Sequence, residues 1–149
     1  MKKILTVSLV FSVMLFAGLK VGDTFPTLHL NDQFEKQTDV TNQTRYILMA
    51  FEKDVSVETT NFFKKQPKGF LEKKHLLYIS DISAMPSFIT SMFALPKMKK
   101  YPFPVLLIND NRGEQFDKKN GVLTRYTLKH HKITAIDFIL PKDLETQFK

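Results

Sequence analysis

Hydrophobic and polar positions divide the chain into short apolar runs separated by polar turns, and two of those runs set its organisation. Residues 46–51, Tyr-Ile-Leu-Met-Ala-Phe, form a continuous apolar block rich in strand formers, the pattern of a central strand covered on both faces. Polar Glu52-Lys53-Asp54 follows, and then a helix-like pattern to Phe63. Asp54 or Ser56 is positioned to cap that helix, with Glu58 in its first turn, where the dipole favours a carboxylate. Gln66-Pro67-Lys68-Gly69 carries both stop signals. The second run, residues 76–80, is closed by Asp81 and Ser83. Met85, Phe88, Ile89, Met92 and Phe93 then fall at i, i+3, i+4, i+7 and i+8. This predicts a helix whose methionines pack in the core, with Pro86 in its first turn and an end or kink at Leu95-Pro96. Strand and helix alternating twice predict βαβ crossovers and parallel strands.

Further along, Tyr101-Pro102-Phe103-Pro104 leads into a strand over 105–108 and a turn over 109–113. Residues 123–128 and 133–140 alternate around Lys129-His130-His131-Lys132, which predicts a β-hairpin with a four-residue polar turn. Residues 141–148 read as a short terminal helix with Pro141 near its start. Near the other end, Thr27-Leu28-His29-Leu30 alternates and runs into Asn31-Asp32-Gln33, a short strand entering a turn. The class is α/β, a central mixed sheet with parallel βαβ units, an antiparallel C-terminal hairpin and a closing helix.

A length of 149 residues with 43% hydrophobic content suits one domain with a real core. Met1-Lys2-Lys3, the uncharged run over 4–16 and Ala17-Gly18 have the three parts of a bacterial-type secretory signal. We expect residues 1–18 to be a signal peptide cleaved near Ala17 or Gly18, leaving 19–149 as one periplasmic or secreted domain; a buried strand or an uncleaved anchor are the alternatives. Removing Lys2 and Lys3 takes the formal charge from +7 to +5, and the remaining basic residues are spread along the chain. Export excludes nucleic acid as a partner. It leaves weak contact with an anionic membrane surface or polysaccharide, an acidic protein, or a merely soluble basic surface. There is no cysteine, so neither a disulfide nor lipid attachment at a processed cysteine is available.

Val21-Gly22-Asp23-Thr24-Phe25-Pro26, continued by Leu28, Leu30 and Asp32-Gln33, resembles the opening of the peroxiredoxin and thioredoxin-related branch of the thioredoxin-like superfamily. The resemblance implies a three-layer α/β/α sandwich with a reactive cysteine at the junction here occupied by Phe51-Glu52-Lys53-Asp54-Val55-Ser56. It also implies a cis-proline opposite that junction, for which Phe103-Pro104 is the candidate, two trans prolines shaping a loop being the other reading. For a fold of this kind residues 114–128 are too long, which predicts an extra strand or a strand count off by one. No catalytic residue of the family carries over, because thiol-disulfide exchange and peroxide reduction both need a thiolate.

What remains is a candidate binding surface at predicted strand ends, Glu52, Lys53, Asp54, Ser56 and Asp81, with Phe103 and Pro104. Ser56 without a base is a poor nucleophile and reads more simply as a helix cap. Among His29, His75, His130 and His131, only the adjacent pair His130-His131 is a weak metal candidate, and two ligands are too few. We therefore expect no cofactor. The expected function is a redox-inactive, exported thioredoxin-like protein acting as a binding or assembly partner of another envelope protein. The alternative is a small-molecule, haem or metal carrier using His130-His131 or the methionine-bearing helix. A third reading is an enzyme using the strand-end carboxylates Asp54 and Asp81.

Overall fold

A computed structural model describes residues 18–149, so residues 1–17 of the expected signal peptide lie outside the described part. Residues 22–32 form a strap across one face of the main sheet. Its start is tied to the last strand by Gly22 N–H on the Ile133 carbonyl and Phe25 N–H on the His131 carbonyl, both at 2.8 Å. Its far end reaches the opposite edge, where Asp32 bridges Leu106. The strap thereby pairs with the start of the last strand (Lys132–Ile139) at one edge and with Leu106 at the other, occupying backbone groups there that would otherwise be open to another chain. Only β1 (Leu30–Asn31) is strand, paired antiparallel with β2 (Gln37–Thr38). The longer alternating strand expected over 27–30 stops short because His29 takes φ 48°, which no extended strand tolerates.

The main sheet has the order β5-β4-β3-β6-β7, formed by β3 (Tyr46–Ala50), β4 (Leu76–Asp81), β5 (Leu106–Ile108), β6 (Leu123–Lys129) and β7 (Lys132–Ile139). β3, β4 and β5 are parallel; β6 runs antiparallel to β3, and β7 to β6. α1 (Lys53–Lys64) and α2 (Phe70–Lys73) connect β3 to β4, and α5 (Leu144–Gln147), entered through a 3-10 turn at Pro141–Asp143, closes the chain. Between β4 and β5 the helical run 87–98 comprises α3 (Ser87–Ile89), a π-helical turn (Thr90–Ala94) and α4 (Leu95–Met98).

Strand alternation splits the core in two. Leu48, Ala50, Leu76, Tyr78, Val105, Leu123 and Ile139 face Val55 and Phe63 of α1, Leu71 of α2, and Leu144 and Phe148 at the C-terminus. Ile47, Met49, Ile79, Ile108, Tyr126 and Ile133 face Phe25, Leu28 and Leu30 of the strap and Phe116. Phe25 stacks on Phe116 at 5.6 Å and meets Tyr126 edge-on at 5.4 Å, which fixes the strap in register. Four positions of the opening motif thus have a packing or turn role: Phe25, Leu28 and Leu30 are buried, and the Asp32 carboxylate accepts from the N–H groups of Phe34 and Lys36 to turn β1 into β2.

The mixed sheet, the βαβ units, the hairpin and the terminal helix agree with the sequence reading. The span 114–128 holds no strand besides β6: its surplus, before Leu123, is the end of a 3-10 turn (Asn111–Gln115) and a loop that tucks Phe116 under the strap. Phe103-Pro104 is trans, as is every peptide bond among the described residues, so the expected cis-proline is replaced by an ordinary loop.

Candidate functional site

An open cleft of about 540 Å³ lies where β3 and β4 end, between the start of α1 and the helical run 87–98. Because β3 and β4 are parallel, their C-terminal ends open on the same side, the position at which open α/β sheets bind ligands. Phe51, Val57, Ile82, Met85, Ile89 and Phe93 are among its apolar lining. Its floor is a hydroxyl cluster in which Ser56 Oγ lies 3.0 Å from the Tyr78 hydroxyl and 3.2 Å from Ser80 Oγ. Ser56 has only hydroxyl partners and no imidazole or carboxylate beside it, so nothing there draws off its proton. Burial pushes the Tyr78 phenol up to about 12, which keeps it neutral at physiological pH.

Four of the seven expected surface residues line this cleft. Glu52, Lys53, Ser56 and Asp81 line it, and Val105, two residues beyond Phe103, lines its base; Asp54 is exposed on the first turn of α1 outside the lining. Phe103 is buried in the core against Phe63 rather than presented to a ligand, and Pro104 is exposed beside it. The helix cap differs from expectation. Glu52 is the N-cap residue and makes no side-chain cap bond; its Oε1 instead accepts from Gly121 N–H at 2.8 Å, clamping the start of α1 to the loop before β6. Asp54 is the acid in the first turn, Glu58 falling one turn later, and Ser56 lies inside the helix with its hydroxyl turned to β4.

Asp81 is held rather than free. Its Oδ1 accepts from Ser83 N–H at 2.9 Å and Ser83 Oγ at 2.6 Å, and its carboxylate packs directly over Gly113, where any Cβ would collide with it. Lys118 reaches within 4.0 Å of Asp81 Oδ2 and lies over the Phe51 ring, 4.8 Å from its centroid. Two cleft determinants escaped the sequence reading. Gln33, at the end of the strap, donates to the Phe103 carbonyl at 2.8 Å and accepts from Val105 N–H at 2.8 Å, fixing the loop under the cleft. Tyr78 and Ser80 lie on one face of β4 by strand alternation, which was the available signal that they share surroundings.

The helical run departs most from expectation. No residue from 83 to 100 is buried, and Phe88, Met92 and Phe93 are 60%, 66% and 62% exposed. Met85 and Met98 border the cleft rather than a closed core. The π-helical turn has a local cause. Pro96 cannot donate to a carbonyl one turn back and its ring crowds that carbonyl, so the preceding turn widens and Leu95 N–H bonds to the Thr90 carbonyl, five residues earlier.

All four histidines occupy backbone positions with positive φ: His29 at 48°, His75 at 51°, His130 at 48° and His131 at 65°. His130-His131 is a two-residue hairpin turn between Lys129 and Lys132, tighter than the four-residue turn expected, and positive φ at both positions marks the type I′ form. The pairing of Tyr46 with Thr127 and of Met49 with Thr124 puts that turn at the opposite end of the sheet from the cleft. His29 is paired with Asp39 at 2.9 Å. Among the described residues no three His, Asp or Glu side chains gather to hold a metal ion. Replacing His130-His131 with Asn-Gly, the pair that suits this turn, should raise stability by about 1 kcal/mol. A chemical denaturation midpoint that stays put or falls would contradict the turn assignment.

The geometry defines a thioredoxin-like fold, and comparison with solved structures agrees. The chain is similar to a peroxidoxin BcpB from Mycobacterium tuberculosis, with TM-score 0.56 and 13% identity over 87% of this chain and 93% of that one. It is similar also to the thioredoxin domain of a thiol-disulfide oxidoreductase from Bacteroides vulgatus, with TM-score 0.54 and 14% identity over 89% and 100% of the two chains. A peroxiredoxin-like protein from Aquifex aeolicus aligns with TM-score 0.51 and 12% identity over 83% and 78%. At these identities the likeness is one of fold. No family model and no curated protein matches the sequence. The second of these structures is named as a thiol-disulfide oxidoreductase, whereas this chain has no cysteine.

Proposed function

We propose that the chain is an exported, redox-inactive thioredoxin-like binding protein that holds an apolar segment of an envelope partner in the cleft between α1 and the helical run 87–98. The observation that carries this reading is the cleft itself, an open, apolar-walled space of about 540 Å³ at the strand ends, floored by hydroxyls that bond to one another. Lys53 and Lys97 stand at its rim with Glu52, so a peptide with polar flanks finds charge of both signs beside an apolar channel. Export rests on the sequence pattern of residues 1–18.

A photo-crosslinking residue at Val57, on the cleft wall, tests the reading against the same residue at Val21, which is exposed at the far end of the sheet. Expressed in the native envelope, the Val57 site should give a discrete protein adduct and the Val21 site none. The purified protein should neither reduce insulin nor consume peroxide. Equal adducts from both sites, or measurable thiol-independent turnover, would overturn the proposal.

The volume of the same cleft supports a second reading, since sites for small organic molecules span about 300–1,000 Å³. Here an apolar small molecule lies against Met85, Ile89 and Phe93. Native mass spectrometry and absorbance of freshly purified protein separate the two: a stoichiometric bound compound, haem included, favours the carrier. The metal form of the carrier has less behind it, because His130-His131 is taken up by the hairpin turn away from the cleft.

A further inference from the structure

We propose that the helical run 87–98 seats the protein on an anionic lipid surface, laying Phe88 and Met92 into the acyl boundary while Lys97, Lys99 and Lys100 meet headgroup phosphates. This stands whatever occupies the cleft, because Phe88 and Met92, one turn apart, are outside the cleft lining and a ligand there leaves them uncovered.

Three observations point to a lipid. The first is charge: between Asp81 and Asp110 there is no acidic residue, while Lys97, Lys99 and Lys100 close the helix. A cationic end on an apolar helix is the arrangement that anionic headgroups attract. The second is the lack of hydrogen-bonding groups. Apart from its lysine, the run's polar side chains are Ser87, Thr90 and Ser91, and the latter two hydroxyls turn back onto the carbonyls of Pro86 and Phe88, both at 3.3 Å. Protein interfaces carry about one hydrogen bond per 100–200 Å², and this surface has little beyond ammonium groups to supply them. An acyl boundary requires none. The third is length. Twelve helical residues reach about 18 Å, well short of the roughly 30 Å hydrocarbon core, and no described helix is long and apolar enough to cross a membrane. A run that is apolar on both its cleft side and its outer side, and too short to span, fits the interfacial plane.

The chain has no tryptophan, so Phe88→Trp makes a single fluorescent reporter on the helix, and Val21→Trp makes one at the far end of the sheet beside the N-terminal segment. With the full chain, phosphatidylcholine vesicles containing phosphatidylglycerol should shift the emission of the Phe88→Trp protein to the blue. Vesicles of phosphatidylcholine alone should leave it nearly unchanged. Lys97→Gln, Lys99→Gln and Lys100→Gln together should weaken binding roughly a hundredfold, at about 1 kcal/mol per surface lysine, and raised salt should do the same in part. Phe88→Glu with Met92→Glu should abolish the vesicle-dependent sedimentation that the helix confers and leave the melting temperature unchanged, since both side chains are already in solvent. Three results would overturn the proposal: a blue shift at position 21 and not at 88, which gives the binding to the N-terminal segment; equal response to both lipids; or no lipid response together with a solution dimer lost in the Phe88→Glu, Met92→Glu protein.

Discussion

Gln33→Leu should cost about 4 kcal/mol of stability and loosen the base of the cleft, the larger effect coming from groups left behind rather than from the side chain removed. Gln33 is 1% exposed. Its Nε2 donates to the carbonyls of Phe103 at 2.8 Å and Met98 at 3.3 Å, and its Oε1 accepts from Val105 N–H at 2.8 Å. Leucine fills nearly the same volume, so no cavity opens. It leaves the Phe103 carbonyl and the Val105 N–H without partners among buried neighbours, and each such group costs about 1–3 kcal/mol. The loop over 103–105 joins the last turn of the helical run to β5, and Tyr101 and Val105 on either side of it line the cleft. The substitution should therefore weaken cleft binding as well as lower the urea midpoint, with the slope of the transition unchanged. Gln33→Glu should be no better at neutral pH, because it keeps the acceptor, loses both donated bonds and buries a charge. A loss smaller than about 1 kcal/mol for Gln33→Leu would mean that the strap does not hold this loop.

Gln33 also marks where the sequence was legible and where it was not. The fold followed from local patterns: the apolar block over 46–50 is buried at all but its first residue, and alternation correctly separated the two hairpin strands. The position of the cleft was legible too, since a strand end and a helix start are local features, and Glu52, Lys53, Ser56 and Asp81 line it. The partners of those residues were not legible, because they come from far along the chain. Glu52 bonds to Gly121, 69 residues away, and Gln33 to Val105, 72 residues away; no spacing rule carries that information. The helix over 85–98 was misread for a different reason. Periodicity shows that a helix has an apolar face, but it is silent on what covers that face, and here no described element does. Residue type singled out only His130-His131 as a weak metal candidate, whereas what all four histidines share is a positive φ, a region that is uncommon outside glycine but in which His, like Asn and Asp, is enriched.

Above about pH 10 the protein should lose stability steeply, and Tyr78→Phe should make that loss shallower. Burial is the largest cause of the raised Tyr78 phenol, which moves from 10.0 in the open chain to about 12, against hydrogen bonds to Ser56 and Ser80 that pull the other way. Tyr126 is raised further, again chiefly by burial, with the Asp117 carboxylate beside it adding to the rise. The sign follows from proton counts. Below about pH 10 both phenols are neutral folded or unfolded, and pH has no effect through them. Between about 10 and 12 the unfolded chain releases their protons while the folded chain keeps them, so stability falls as pH rises, by about 1.4 kcal/mol per unit for each tyrosine. Tyr78 alone accounts for roughly 3 kcal/mol by pH 12, a large part of the 5–15 kcal/mol typical of a domain. Burial raises the Tyr101 phenol too, so the test is the difference: denaturant titrations at successive alkaline pH values should show a slope shallower by about one proton in Tyr78→Phe than in the wild type. Near-ultraviolet absorbance should show the Tyr78 and Tyr126 phenolates arising only as the fold is lost. Four phenolates titrating together near pH 10 in an intact fold would sink this account. The same energetics bear on what the cleft can do. A group useful for general acid or base work is tuned toward the operating pH, whereas the fold drives Tyr78 away from it. The Ser56, Tyr78 and Ser80 hydroxyls consequently form a neutral hydrogen-bonded cluster beneath the cleft, with Tyr78 kept protonated near neutral pH.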